Sequence, residues 1–236
     1  MSQIHKWLPV WERKGTQVRD GTSDLAELLC ANGYDTGHGD ITVDAWTSYA
    51  GHVLGVLGAE SGHSVYEVGC GAGAFLMPIR QHGLAVAGSD YSSTLVAAAA
   101  KALPDGEFER CEASDVPSTP QYDFVVANSV FFYFANLEYA EAVVQTMVGK
   151  ARRGIAILDN PDLGHKEETL TLRYQVAGGK AEYEKRYDGL DHLYFDRDWF
   201  AQLLRRAGAT SVVIRDQEIQ NYRNAAGRFN VFARLS

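Results

Sequence analysis

From Ser64 onward, short apolar runs alternate with stretches in which apolar residues recur every three or four positions. The runs predict strands at Val65–Val68, Ala85–Gly88, Glu107–Arg110, Phe124–Ala127, Ile155–Leu158, Val212–Arg215 and Asn230–Ala233. The helical spacing predicts helices near Gly73–Gln81, Ser93–Leu103, Leu137–Val148 and Asp198–Ala207. Strictly alternating strand and helix builds a parallel sheet covered on both faces. The last two strands are joined by a polar link too short for a parallel crossover, so the final strand is expected to run antiparallel. Upstream the pattern is helical. Ser23 or Asp24 caps one segment, with Glu27 placed as in a capping box and a stop at Asn32-Gly33. Thr42 opens another, whose Val43, Trp46, Tyr49, Ala50, Val53, Leu54 and Leu57 form one apolar face ending at Gly58.

Three stretches depart from this pattern. The leader Trp7-Leu8-Pro9-Val10-Trp11-Glu12-Arg13-Lys14-Gly15 sets two tryptophans in a charge cluster, and reads either as a segment docked by its indoles or as a flap over a site. Tyr34-Asp35-Thr36-Gly37-His38-Gly39-Asp40 is a polar, glycine-rich loop. The interval 160–196 is an insertion after the fifth strand, with a helix over 166–176, a Gly178-Gly179 break, and then Tyr183, Tyr187, His192 and Tyr194. Ligands of open α/β sheets bind at strand ends, so this insertion is expected to act as a lid. The division expected is a single domain over 1–236, with an N-terminal flap and helices at 1–62 and a core at 63–236.

A chain of 236 residues is long enough to bury a sizeable core without disulfides or metal. Its 22 Lys and Arg against 30 Asp and Glu give a net charge of −8, with no basic block, which argues against nucleic acid as a partner. Cys30, Cys70 and Cys111 are scattered, as in a reducing compartment. No apolar run is long enough to span a membrane, and the first residues lack the apolar core of a signal peptide, so the cytoplasm is expected, with no membrane partner. Neither monomer nor homodimer is favoured.

The chemistry starts at Val65-Tyr66-Glu67-Val68-Gly69-Cys70-Gly71-Ala72-Gly73-Ala74-Phe75, where an apolar run breaks into alternating glycines before a helix. Such a turn brings backbone amides against a nucleoside. A second run ends in Ser89-Asp90, which sets a carboxylate where it can accept two ribose hydroxyls. Both features fit a dinucleotide as well as an adenosyl cofactor. Glu67 in the Glu-x-Gly-x-Gly-x-Gly spacing, together with Cys111-Glu112-Ala113-Ser114-Asp115-Val116-Pro117 and Tyr122-Asp123-Phe124-Val125-Val126-Ala127-Asn128, resembles the class I S-adenosylmethionine-dependent methyltransferases. That resemblance implies a Rossmann-like α/β fold with a seven-stranded sheet and S-adenosyl-L-methionine as cofactor, leaving S-adenosyl-L-homocysteine. It also implies that Glu67, Gly69, Gly71 and Gly73 hold the methionine end, Asp90 with neighbouring Tyr91 the ribose, and Glu112 and Ala113 the adenine. Asn128 follows at the fourth strand's end, and Trp46 is a further candidate to lie against the cofactor.

A cationic methyl donor suits aromatic faces, and Val130-Phe131-Phe132-Tyr133-Phe134 supplies them; Phe131 and Tyr133 are expected in the pocket. The strings Trp11-Glu12-Arg13-Lys14-Gly15, Gly71-Ala72-Gly73-Ala74-Phe75-Leu76, Ser129-Val130-Phe131-Phe132-Tyr133-Phe134 and Arg228-Phe229-Asn230-Val231-Phe232 resemble the methyltransferase domain of ovothiol-biosynthesis enzymes. This finer resemblance implies N-methylation of the 5-thiohistidine imidazole, with thiohistidine supplied by a separate synthase. A zwitterionic acceptor of this kind needs a cation and polar partners, for which Arg173, Tyr174, Asn128, His192, Tyr222 and Asn224 are available. Asn128, Tyr133 and His192 are the candidates for catalysis. Asn128-Ser129-Val130-Phe131 lacks the Pro-Pro of nucleic-acid amino methyltransferases. Asp159-Asn160 fits two positions of a catechol-type metal site, but the third falls on the amide of Asn128, so no metal is expected. An O- or C-methyltransferase of another small metabolite, and a non-catalytic cofactor-binding module, stay open as alternatives.

Overall fold

The computed structural model describes residues 6–34 and 41–236. Residues 35–40 of the polar loop lie outside them, as do residues 1–5. Seven strands, β1 (Ser64–Val68), β2 (Ala85–Asp90), β3 (Glu107–Arg110), β4 (Tyr122–Asn128), β5 (Ala151–Pro161), β6 (Ser211–Asp216) and β7 (Arg228–Arg234), form one sheet in the order β3-β2-β1-β4-β5-β7-β6. The first five pair in parallel and β7 runs antiparallel to both its neighbours, as the short link requires. Strand order reverses between β1 and β4, which opens a crevice at their carboxyl ends.

Side-chain alternation along the strands feeds two cores. Val65, Phe124, Val126, Ala156 and Phe232 pack under α3 (Val43–Leu57), α4 (Leu76–Gln81) and α5 (Ser93–Ala102). Tyr66, Val125, Ile155, Ile157 and Val231 pack on the other face, under α6 (Leu137–Lys150) and α9 (Arg197–Arg206). Thr42 caps α3 through its hydroxyl to Ala45 N–H at 3.1 Å, and Gly58 ends it in the left-handed region. Among the described residues no helix is long and apolar enough to cross a membrane.

The leader is a helix, α1 (Leu8–Thr16), docked on the start of α5. Glu12 accepts from Ser93 N–H at 2.7 Å and Thr94 N–H at 3.3 Å, and Thr94 Oγ1 donates to Glu12 O at 2.8 Å. A Cβ on Gly15 would sit 2.7 Å from Leu95 N, so close approach here requires glycine. In α2 (Leu25–Leu29), Asp24 accepts from Ala26 N–H at 3.0 Å. Glu27 does not complete a capping box: Arg19 Nε donates to it at 2.7 Å, a charge-assisted bond that outcompetes a neutral cap.

The insertion is held at both ends. Leu163 N–H donates to Phe195 O and Phe195 N–H to Pro161 O, each at 2.9 Å, and Arg197 Nε donates to Asp162 at 2.7 Å. Between them run α7 (Lys166–Ala177), a turn with Gly178 at φ 88° and Gly179 at φ 128°, and a helix that periodicity misses, α8 (Lys180–Arg186).

Candidate functional site

The glycine turn after β1 is built for close approach. Gly69 has φ 73°, and a Cβ there would lie 2.5 Å from Val130 Cγ2. From β2, Asp90 closes over the turn. Its Oδ2 accepts from Gly71 N–H at 3.0 Å and its Oδ1 from Ser92 N–H at 2.9 Å. Burial pushes the Asp90 carboxyl up to about 6, against the lowering by those two amides. Glu67, only 1% exposed, keeps Oε2 without a partner, and burial followed by the charge of Asp90 holds its carboxyl well above the usual range. Asn32 pins the turn from the other side. It accepts from Ala72 N–H at 2.7 Å and donates to Cys70 O at 3.3 Å.

Above this turn lies a cavity open to solvent, about 740 Å³ of space in all. Gly69, Gly71 and Asp90 form one wall, Glu112 and Ala113 an end, and Asn128, Phe134 and Tyr139 the rest of the lining the chemistry needs. Tyr139 Oη donates to Glu112 at 3.3 Å. A second chamber of about 1320 Å³ adjoins it. Trp11 and Tyr133 line both, edge to face at 5.2 Å, so two rings make the partition. Trp7 packs on the same Tyr133 at 4.8 Å. The far wall of the second chamber comes from the lid, through Leu172, Arg173, Tyr183 and Tyr187.

Behind both cavities runs a buried polar network. Ser129 and Asp159, at the ends of β4 and β5, hold the left-handed conformation at φ 58° and 62°, a strain that fixed packing must sustain. Asp159 accepts from Ser129 Oγ at 2.5 Å, Tyr222 Oη at 3.0 Å and Gln217 Nε2 at 3.2 Å. Arg228, 1% exposed, donates to Asp159 O at 2.8 Å and lies 3.7 Å from its carboxylate. Asn128 Nδ2 donates to Tyr34 Oη at 3.3 Å, while its buried Oδ1 has no partner among the described residues.

Comparison with known proteins finds similarity across the motif-bearing strands. Residues 66–154 match a methyltransferase domain. No curated protein sequence matches the chain. Among solved structures it resembles magnesium protoporphyrin IX methyltransferase from Synechocystis PCC 6803 with bound S-adenosylhomocysteine, at 18% identity and TM-score 0.61, covering 98% of this chain and 96% of that one. It also resembles phosphoethanolamine N-methyltransferase 2 from Haemonchus contortus in complex with S-adenosylmethionine, at 12% identity and TM-score 0.57, over 80% of this chain and 52% of that one. The fold is the Rossmann-like fold of class I methyltransferases, with the last strand antiparallel.

Within the matched residues 66–154, Gly69, Gly71, Asp90, Tyr91, Glu112, Ala113 and Asn128 all line the first cavity. Three residues expected at the cofactor do not. Trp46 is fully buried under the turn, donating Nε1–H to Ala74 O at 2.9 Å. Gly73 faces Leu103 and Ala99 of the α5 layer. Glu67 stands beneath the turn, outside the lining. In the aromatic run, Tyr133 reaches the partition, but Phe131 packs in the core against Phe195 and Phe200 at 6.3 and 5.6 Å. Its neighbours Phe132 and Phe134 face the chambers instead.

Arg173, His192 and Asn224 line the second chamber. Tyr174 does not; it packs edge to face on Tyr183 at 5.3 Å. Tyr222 is buried in the Asp159 network rather than open to ligand. Arg173 Nη1 lies 2.8 Å from His192 Nδ1, and a guanidinium only donates, so Nδ1 accepts and the ring proton sits on Nε2. That engagement removes the nitrogen His192 would need at that position to act as a base. Asp159 is likewise committed to protein partners, and Asn160 donates its Nδ2 to Ile157 O at 2.9 Å. Asn32, Trp7, Trp11 and Tyr139 are site residues that motif reading misses. Only the paired indoles of the leader carry a signal.

Proposed function

We propose that the chain is an S-adenosylmethionine-dependent methyltransferase of a small molecule, with the donor in the first cavity and the acceptor in the second. The observation that carries this reading is the pair of adjoining chambers, one lined by the glycine turn and Asp90, the other roofed by the lid, divided by Trp11 and Tyr133. The residues present fit an adenosyl group: Gly69 leaves room that a Cβ would fill, and the buried Asn128 Oδ1 in the lining has no partner among the described residues. Asp90 is positioned to accept the ribose hydroxyls, and Tyr139 with Glu112 borders the adenine end. When bound, the cofactor supplies a methyl group on a cationic sulfur. The protein's task is then placement and exclusion of water, which can supply about 7–11 kcal/mol. The aromatic faces of Trp11 and Tyr133 suit a cation there at about 0.5–2 kcal/mol each.

For the acceptor we propose N-methylation of the 5-thiohistidine imidazole, with another protein supplying thiohistidine. A neutral imidazole nitrogen attacks without prior deprotonation, which agrees with a chamber whose histidine is held by Arg173. Incubation with methyl-labelled donor and either 5-thiohistidine or histidine is the test. Label is expected on 5-thiohistidine, and label on neither azole overturns the acceptor. Calorimetry with S-adenosylhomocysteine tests the cofactor reading separately.

A further inference from the structure

The second chamber inverts the charge of the molecule. The chain carries −8, yet Arg13, Arg173, Arg186, Arg223 and Arg228 line this chamber with Lys14, and no carboxylate is among the described residues lining it. Arg13, Arg173, Arg186 and Arg223 form no ion pair with any described residue; Arg173 spends its bonds on His192 Nδ1 and Tyr183 Oη. Arg228 is the deepest, its guanidinium 4.4 Å over the Phe132 ring and 1% exposed. Asp159 satisfies one edge of it, while Nε remains buried without a partner.

Guanidinium groups gathered around one cavity repel one another, weakly at the exposed Arg13, Arg186 and Arg223 and more strongly at half-buried Arg173 and buried Arg228, where low-dielectric walls focus the field. An arrangement of this kind is favourable when it meets negative charge, and Arg presents a planar fork matched to carboxylate or phosphate. We propose that the second chamber binds an acceptor bearing two anionic groups, one held deep by Arg173 and Arg228 and the other by the rim arginines Arg13, Arg186 and Arg223. Naming this ligand the methyl acceptor rests on the methyltransferase reading. The charge preference of the chamber does not. 5-Thiohistidine meets this requirement through its carboxylate together with its ionised thiol.

The test is calorimetric titration of the full chain, with S-adenosylhomocysteine present, using glutarate, pyrophosphate and the neutral glutaramide. At least one dianion is expected to bind tenfold or more tightly than glutaramide, and to weaken as salt rises. Glutarate preference assigns a dicarboxylate, pyrophosphate preference a phosphorylated acceptor. Because Arg228 is tied into the Asp159 network and its loss endangers folding, the variant is the double substitution Arg173→Gln with Arg223→Gln. It is expected to weaken the dianion at least tenfold while leaving S-adenosylhomocysteine affinity within twofold. Dianions that bind no better than glutaramide, or a double variant that binds them like the parent, overturn the inference. Dianion binding without any S-adenosylhomocysteine binding sinks the methyltransferase reading and leaves the chamber's preference standing.

Discussion

The two chambers share a wall and differ in almost everything else. The first is lined mostly by residues following consecutive strands, joined by Trp11, Asn32 and Tyr139, carries the carboxyl groups of Asp90 and Glu112, and has no cationic side chain among the described residues of its lining. The second is assembled from α1, the lid and the β6–β7 link, and its charged lining residues are all basic. The acidic chamber suits a ligand with a cation and sugar hydroxyls; the basic one suits an anion. On the reading proposed above, this opposed polarity would sort donor from acceptor.

The largest effect is expected from Asp90→Ala. Removing the carboxylate proposed to accept two ribose hydroxyls, at about 1.5–3 kcal/mol per charged hydrogen bond, should weaken S-adenosylhomocysteine at least a hundredfold by calorimetry. Affinity within threefold of the parent would place the ribose elsewhere. Acidification should act through the same group. With Asp90 at about 6, the folded, ligand-free protein holds a proton between about pH 4 and 6 that the unfolded chain has released. Its stabilising contribution is full below that window and is lost as pH rises through 6. A ligand that needs the carboxylate has the reverse dependence. S-adenosylhomocysteine affinity should therefore fall about tenfold per pH unit below 6. Asp123, held down to about 2 by Ser64 N–H and Arg152 despite burial, contributes with the opposite sign at lower pH. The ligand-induced shift in Tm, rather than Tm itself, is thus the quantity to compare at pH 5 and 7.

Smaller losses are expected at residues that shape the first chamber without lining its motif. Asn32→Ala strands Ala72 N–H and frees Cys70 O, two bonds of about 1 kcal/mol each, and should weaken S-adenosylhomocysteine about tenfold. Glu12→Ala uncaps α5 and loosens α1, costing about 1–2 kcal/mol in urea unfolding and a few-fold in affinity, since α1 carries Trp11.

The same division separates what could be read along the chain from what could not. All seven strands and the antiparallel last one follow from alternation and link length, and seven of the ten expected cofactor residues line the first cavity because one motif places them on adjoining strand ends. Asn32 escapes because an Asn-Gly at a helix end reads as an ordinary stop, and only the tertiary approach of α2 to the turn reveals its use. The aromatic run fails for a different reason. Phe131–Tyr133 forms a single 3₁₀ turn, too short for any period to tell which ring turns inward. Likewise β5 runs on to Pro161, beyond the Leu158 at which its apolar run ends, because Arg228 and Phe229 pair with its end. The second chamber draws on segments more than 200 residues apart, Trp7 and Arg228 among them, and no local pattern reports such a meeting.

The smallest effect is expected where a histidine in a pocket would ordinarily attract the catalytic role. If His192 removed a proton from the acceptor, His192→Gln would abolish the acidic limb of the rate profile and lower kcat by the factor of about 10²–10⁴ typical of general base catalysis. Its Nδ1 instead accepts from Arg173, and its ring packs 5.0 Å from Trp7 and 5.3 Å from Phe132, which marks it as part of the scaffold that aims Arg173 into the chamber. Glutamine retains an oxygen acceptor for that guanidinium. The variant should therefore keep kcat within threefold and leave the pH profile in place, with KM for the acceptor taking whatever loss occurs. Loss of the acidic limb would instead identify His192 as the base and shift the acceptor reading toward a phenol or another group that must be deprotonated before attack.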